Sequence, residues 1–324
     1  MAQNYKVIND AVLAVDENNV TDGDSAYNYF RNGAESYQMS FTSSILNYKM
    51  VADIMPSVKP NDREKQVMDL LHHVYNLVLD GELHLAPISK QPQRVLDLGT
   101  GTGIWAMNFA DQYPSAQVIG NDVSFIQSGW APTNCQFEVD DFEVEWRYSK
   151  LFDYIHGREI AGAIQDFDKL VQQAFNHLTP GGFLEFQSLS IELYADDDSL
   201  KKAPFMVQLT HDVQEASIRY GKRLGNMSEC PEKMINAGFT DVTCKVVKVP
   251  TTPWPKDPKQ KEIGKYMPQA SMSYSYALLS KVMGWNRDDI EVLLAHVSEE
   301  LKDLTIHTYL KLYLVYGKKP KIYN

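Results

Sequence analysis

The sequence is poor in the features that mark secreted, membrane-spanning or nucleic-acid-binding chains. Its 324 residues include only three cysteines, Cys135, Cys230 and Cys244. They are far apart and never in a Cys-x-x-Cys pair, so neither a disulfide framework nor a zinc site is expected, and a reducing compartment is the default. Basic residues are outnumbered, 31 against 42 acidic, for a formal net charge of −11. That deficit argues against a surface built to grip nucleic acid through its phosphates. The opening residues, MAQNYKVIND, lack a charged head followed by an apolar run, so no signal peptide is read. No run approaches the roughly 18 apolar residues that a membrane span needs. A cytoplasmic location follows as the expectation, with the nucleus as the alternative, and no membrane or nucleic-acid partner. What remains is a composition able to bury a sizeable core, with 44% hydrophobic and 23% charged residues. At roughly 150 residues per domain, the length fits two domains or one large α/β domain with insertions.

Periodicity then orders the chain. Residues 1–35 are polar and read as a loose arm. Val67, Leu70, Leu71, Val74, Leu77 and Val78 fall at helical spacing in EKQVMDLLHHVYNLVL, and Gly81 stops that helix. From Arg94 the character changes. RVLDLG, QVIGND, CQFEVDD, FDYIHGR and GGFLEFQSL are short apolar runs, several of them separated by helical stretches. Alternating strands and helices predict a parallel sheet covered on both faces, which binds ligands at the carboxyl ends of its strands. In the last third, residues 199–222 read as a helix, while 241–250 and 306–317 read as strands. Between those strands lies a helical insertion, about 256–303, that brings Tyr266, Met267, Met272, Tyr274 and Tyr276 together. These suit either a flat apolar acceptor or a helix core.

The segment Asp97-Leu98-Gly99-Thr100-Gly101-Thr102-Gly103 ends the first of these runs and opens a helix. Its glycines let a ligand lie against bare main chain, and the helix behind offers free N–H groups. A dinucleotide loop spaces its glycines as G-x-G-x-x-G. Here the spacing is G-x-G-x-G, with Ile104 where the third glycine of that fingerprint would stand. Asp97 would repel a pyrophosphate but suits an ammonium. Charge therefore favours S-adenosylmethionine, which has an amino-acid end and no phosphate, over a nicotinamide dinucleotide. Asp122 ends the second run, where an acid accepts bonds from ribose hydroxyls in either kind of site. Asp140, Asp141 and Phe142 end the third, where a carboxylate suits an adenine amino group and a ring suits its face. An ordinary loop cap is the alternative for the two aspartates. No metal site is read.

DLGTGTGIWAMNFADQYPSAQVIGND, with VDDFEVEW, FDYIHGRE and HLTPGGFLEFQ, resembles a class I S-adenosylmethionine-dependent methyltransferase. More narrowly it is similar to the fungal LaeA-like methyltransferases, which include a regulator and many enzymes of secondary metabolism. The resemblance implies a Rossmann-like, seven-stranded α/β sheet with an N-terminal helical arm and a helical cap insertion. It implies cofactor contacts at Asp97, Gly99, Thr100, Gly101 and Gly103, at Asp122 and Val123 for the ribose, and at Asp141 with Phe142 for the adenine, Asp140 standing beside them. The family often carries an N-terminal segment like ENGRRYH. The nearest match, RNGAESYQ at Arg31–Gln38, keeps Tyr37 as a cofactor contact but lacks the arginines. The end of the fourth run faces the reactive end of the cofactor in this fold, near His156, Arg158 and Glu159. His156 is the general-base candidate by type, with packing over the cofactor as its alternative. Arg158 would orient a carboxylate or phenolate.

The chain divides into an arm and helical lid (1–90), a cofactor-binding core (91–250), an acceptor cap (251–304) and a last core strand with tail (305–324). The expected activity is methyl transfer to oxygen or nitrogen of a small secondary metabolite. A regulator acting through protein partners, a cofactor-retaining non-methylating enzyme and, last, a dehydrogenase are the alternatives.

Overall fold

The short apolar runs become the strands of one sheet. The computed structural model describes residues 5–17, 62–271 and 275–321. Strand β1 (Lys6–Asn9) precedes helix α1 (Asp62–Val78). There follow β2 (Arg94–Leu98), α2 (Ile104–Gln112), β3 (Gln117–Asp122), β4 (Cys135–Val139), β5 (Phe152–Arg158), α3 (Phe167–His177) and β6 (Leu178–Leu189). The last third holds α4 (Pro204–Tyr220), α5 (Cys230–Asn236), β7 (Thr240–Pro250), α6 (Pro258–Ser271), a short helical piece over 275–282, α7 (Arg287–Lys302) and β8 (Tyr309–Lys318).

The sheet order is β1-β7-β8-β6-β5-β2-β3-β4. Strands β2 to β6 are mutually parallel, and β8 runs antiparallel between β6 and β7. Val95, Leu96, Leu98 and Ile155 are essentially inaccessible, which is why these central strands read as continuous apolar runs rather than as an alternation. Seven strands were expected; among the described residues the sheet has eight. The extra strand, β1, comes from the arm and pairs parallel with β7, Lys6 opposite Thr243 through Asn9 opposite Val246. Its four residues are all exposed, so no burial pattern betrays it, and the open main-chain edge of β7 is what it satisfies.

Helices close both faces. Asp166 caps α3 by accepting from Lys169 N at 2.9 Å. Helix α1 buries Leu71, Val74, Tyr75 and Val78 against Ile263 and Met267 of α6 and against β7 and β8. A separate cluster joins α4 to α7 through Leu209, Val213, Leu293, Leu294 and Val297. Each such leucine contributes roughly 1.5–3 kcal/mol on burial. The insertion aromatics lie in this packing and not in the cleft described below. Met267 is buried in the α1–α6 layer, the Tyr266 ring meets His73 edge-on at 5.1 Å, and Tyr276 packs on the α4–α7 cluster. Met272 and Tyr274 lie outside the described residues. Cys135, Cys230 and Cys244 are free and buried. Among the described residues, no helix is long and apolar enough to cross a membrane.

Candidate functional site

Strand order reverses between β2 and β5, and a cleft opens at their carboxyl ends, where open α/β sheets bind ligands. It is lined by residues of the glycine loop, of α1 and of the ends of β3 and β5. The glycine loop forms one wall. Gly103 takes φ +81° at the start of α2, and a Cβ there would overlap the Phe137 ring. Backbone bonds fix the loop to β3, with Thr100 N donating to Asn121 O at 2.8 Å and Gly101 N to the Asp122 carboxylate at 3.0 Å. Gln127 Nε2 donates to Gly101 O at 2.7 Å, and the Thr102 hydroxyl reaches Asp69 on α1 at 2.9 Å.

Two buried carboxylates flank the loop. Asp97 accepts from the Thr100 hydroxyl at 2.6 Å and from His156 Nδ1 at 2.7 Å. Asp122 accepts from Ser124 N and Oγ at 3.0 and 2.8 Å as well as from Gly101 N. Burial raises its pKa, while the Ser124 and Gly101 bonds oppose that shift. Val123 and Phe142 line the cleft beside it.

Helix α1 presents Met68, Leu71 and His72 to the cleft, and Tyr75 continues the same i, i+3, i+4, i+7 stripe. Arg158 and Glu159 lie opposite. Arg158 donates from Nε to Gln187 Oε1 at 2.9 Å and from Nη1 to His72 Nδ1 at 3.1 Å. Its guanidinium lies 4.3 Å from the Tyr75 ring centroid. Glu159 sits in the left-handed region at φ +55°, a conformation that non-glycine residues keep only where the surroundings impose it. Its carboxylate accepts from Tyr75 OH and from Leu189 N, and burial pushes its pKa up to about 7. Burial, with Arg158 beside it, pushes His72 down to about 3, which keeps the ring neutral.

Most of the residues expected from the sequence come together here. Asp97, Gly99, Thr100, Gly101, Asp122, Val123, Phe142 and Arg158 all line the cleft, with Gly103 just behind. Others do not. His156 is fully buried beneath Asp97, stacked on Trp105 at 3.7 Å, and is not part of the cleft wall. Asp140 is exposed, and Asp141 accepts from Glu143 N at 2.9 Å as a loop cap; neither lines the cleft. Tyr37 falls outside the described residues. His72 was not expected, and its place in the α1 apolar stripe is the signal that would have found it.

Residues 70–220 match the methyltransferase-domain family. The methyltransferase pytC of Aspergillus terreus is 37% identical over 267 residues, covering 81% of this chain and 82% of that one. The protein named probable methyltransferase tdiE, from Emericella nidulans, is 36% identical over 263 residues, 80% and 83% of the two chains. The secondary metabolism regulator LAE1 of Cochliobolus heterostrophus is 30% identical over 272 residues, 81% and 89%.

The chain belongs to this fungal methyltransferase family.

The methyltransferase takes its methyl group from S-adenosylmethionine. The residues present fit that cofactor. The glycine turn, the carboxylates of Asp97 and Asp122 and the Phe142 ring share one cleft, and among the described residues that line it Arg158 is the one lysine or arginine.

Proposed function

We propose that the protein methylates an oxygen or nitrogen atom of a small secondary metabolite. The observation that supports this reading is the cleft lining, where the apolar Met68, Leu71, Ile160 and Ala163 join the glycine loop, its acids and Arg158. A mostly apolar wall with few polar groups is the usual lining of a small-molecule site. The cofactor supplies a methyl on a sulfonium, already activated for displacement. The protein's task is then alignment and exclusion of water. In this reading Asp97 holds the ammonium of the cofactor, Asp122 the ribose hydroxyls, and Phe142 packs at the adenine. His156 serves as the brace of Asp97 in place of a base. The core over 91–250 with the last strand carries the cofactor. The insertion at 251–304 acts on the acceptor side indirectly, through α6, which backs α1 and so fixes the acceptor-side wall.

The similarity to the LAE1 regulator favours a second reading, in which the protein acts through protein partners. Incubation of the purified chain with methyl-labelled cofactor and a fungal metabolite extract separates the two. A labelled small molecule one methylene heavier is the expected result. Transfer to no small molecule, with a stable protein complex instead, would overturn the proposal.

A further inference from the structure

Arg158 is a cleft-lining cation whose hydrogen bonds, among the described residues, go to neutral acceptors only. They are Gln187 Oε1 at 2.9 Å, His72 Nδ1 at 3.1 Å and Leu83 O at 3.5 Å. A guanidinium carries five N–H groups in a planar fork suited to a carboxylate, so donors remain. The side chain is partly withdrawn from water between Tyr75 and the α1 wall, and burial lowers its pKa. The nearby acids are engaged elsewhere. Glu185 accepts from Leu85 N, Ala86 N and Tyr154 OH, and Glu159 accepts from Tyr75 and Leu189. Asp97 lines the same cleft, and its charge acts on Arg158. An anionic and a cationic side chain presented together match a ligand that carries an ammonium and a carboxylate on one carbon. A phosphate would gain from Arg158 but meet Asp97.

We propose that Arg158 is the receptor for the α-carboxylate at the amino-acid end of S-adenosylmethionine, with His72 as the positioning residue that keeps its guanidinium turned to the cleft. The inference rests on the cofactor placement given above. His72 can hold Arg158 only while neutral, because Nδ1 must accept the guanidinium proton. Nε2 then carries the ring proton, so the Asn108 side-chain amide 2.9 Å away must turn its oxygen to it to hold the ring. The site thereby joins α1 to the cofactor.

The test compares S-adenosylhomocysteine with S-adenosyl-3-thiopropylamine, which lacks only the carboxylate, by calorimetry on the full chain. The wild-type protein is expected to prefer the first at least tenfold. Arg158→Gln should bring that preference close to one while leaving affinity for the decarboxylated compound unchanged. His72→Phe should reduce the preference without changing the affinity for 5′-methylthioadenosine, which has no amino-acid end. Equal wild-type affinity for the first two compounds overturns the inference whether or not the variants fold. An undiminished preference in a folded Arg158→Gln overturns it too. Wild-type protein that binds none of the three would instead overturn the cofactor placement itself.

Discussion

His156 stands directly behind Asp97. The two are register partners on adjacent parallel strands, with Nδ1 2.7 Å from Oδ1 and the imidazole stacked at 7° on the Trp105 ring. Burial lowers the His156 pKa, against the opposing influence of Asp97, so Nδ1–H donates from a neutral ring. Removing one charge-assisted bond of this kind costs about 1.5–3 kcal/mol. His156→Phe keeps the stack and removes the donor. It is expected to weaken S-adenosylhomocysteine binding at least tenfold in calorimetry. Full affinity with lost turnover would return His156 to the role of base.

Asp122→Ala removes the anchor of Gly101 N and Ser124 together with the proposed ribose contact. Two charge-assisted bonds of about 1.5–3 kcal/mol each imply a loss of at least a hundredfold in S-adenosylhomocysteine affinity, with circular dichroism showing the sheet intact. Unchanged affinity would mean that the ribose sits elsewhere.

The Glu159 carboxyl, pushed from 4.5 to about 7 by burial, binds its proton more readily in the folded chain than in the unfolded one. Stability should therefore fall as pH rises from about 4.5 to about 7 and level off above, a contribution of roughly 3 kcal/mol at most. Glu159→Gln keeps an acceptor for Tyr75 and should flatten that slope. Urea midpoints at pH 5 and 7.5 measure it, and an unaltered slope in the variant would refute the assignment.

Gly99 has φ +61°, and a Cβ there would lie 2.7 Å from Ile160 Cγ2. A left-handed alanine costs about 1–2 kcal/mol and the overlap about 1–3 more. Gly99→Ala should lower the melting temperature by several degrees and impair cofactor binding. A variant as stable as the parent would show that the loop accepts another conformation.

The central sheet was legible because buried parallel strands leave unbroken apolar runs, as in Val95, Leu96 and Leu98. The glycine loop was legible because its spacing and acids are chemical signals in themselves. Strand β1 was not, since its four exposed residues are ordered only by the edge of β7. Asp140 and Asp141 end the third run, where a nucleoside contact and a loop cap leave the same sequence; Asp141 accepts from Glu143 N, and the neighbouring Phe142 lines the cleft. His156 shares a strand face with Arg158, yet only Arg158 reaches the cleft; depth along a strand has no period to read. The insertion's aromatics suit an acceptor or a helix core, and Tyr266 and Tyr276 pack with the core.

The first residues do more than lengthen the sheet. Beyond β1, Asp10 N donates to Val246 O at 3.0 Å, Val15 bridges to Pro255, and Asp16 pairs with Lys261. This segment shields the outer flank of an eleven-residue strand whose bare amides would otherwise offer a template to a neighbouring copy. Shortening the chain past Asp16 would thus bare that flank to edge-on self-association.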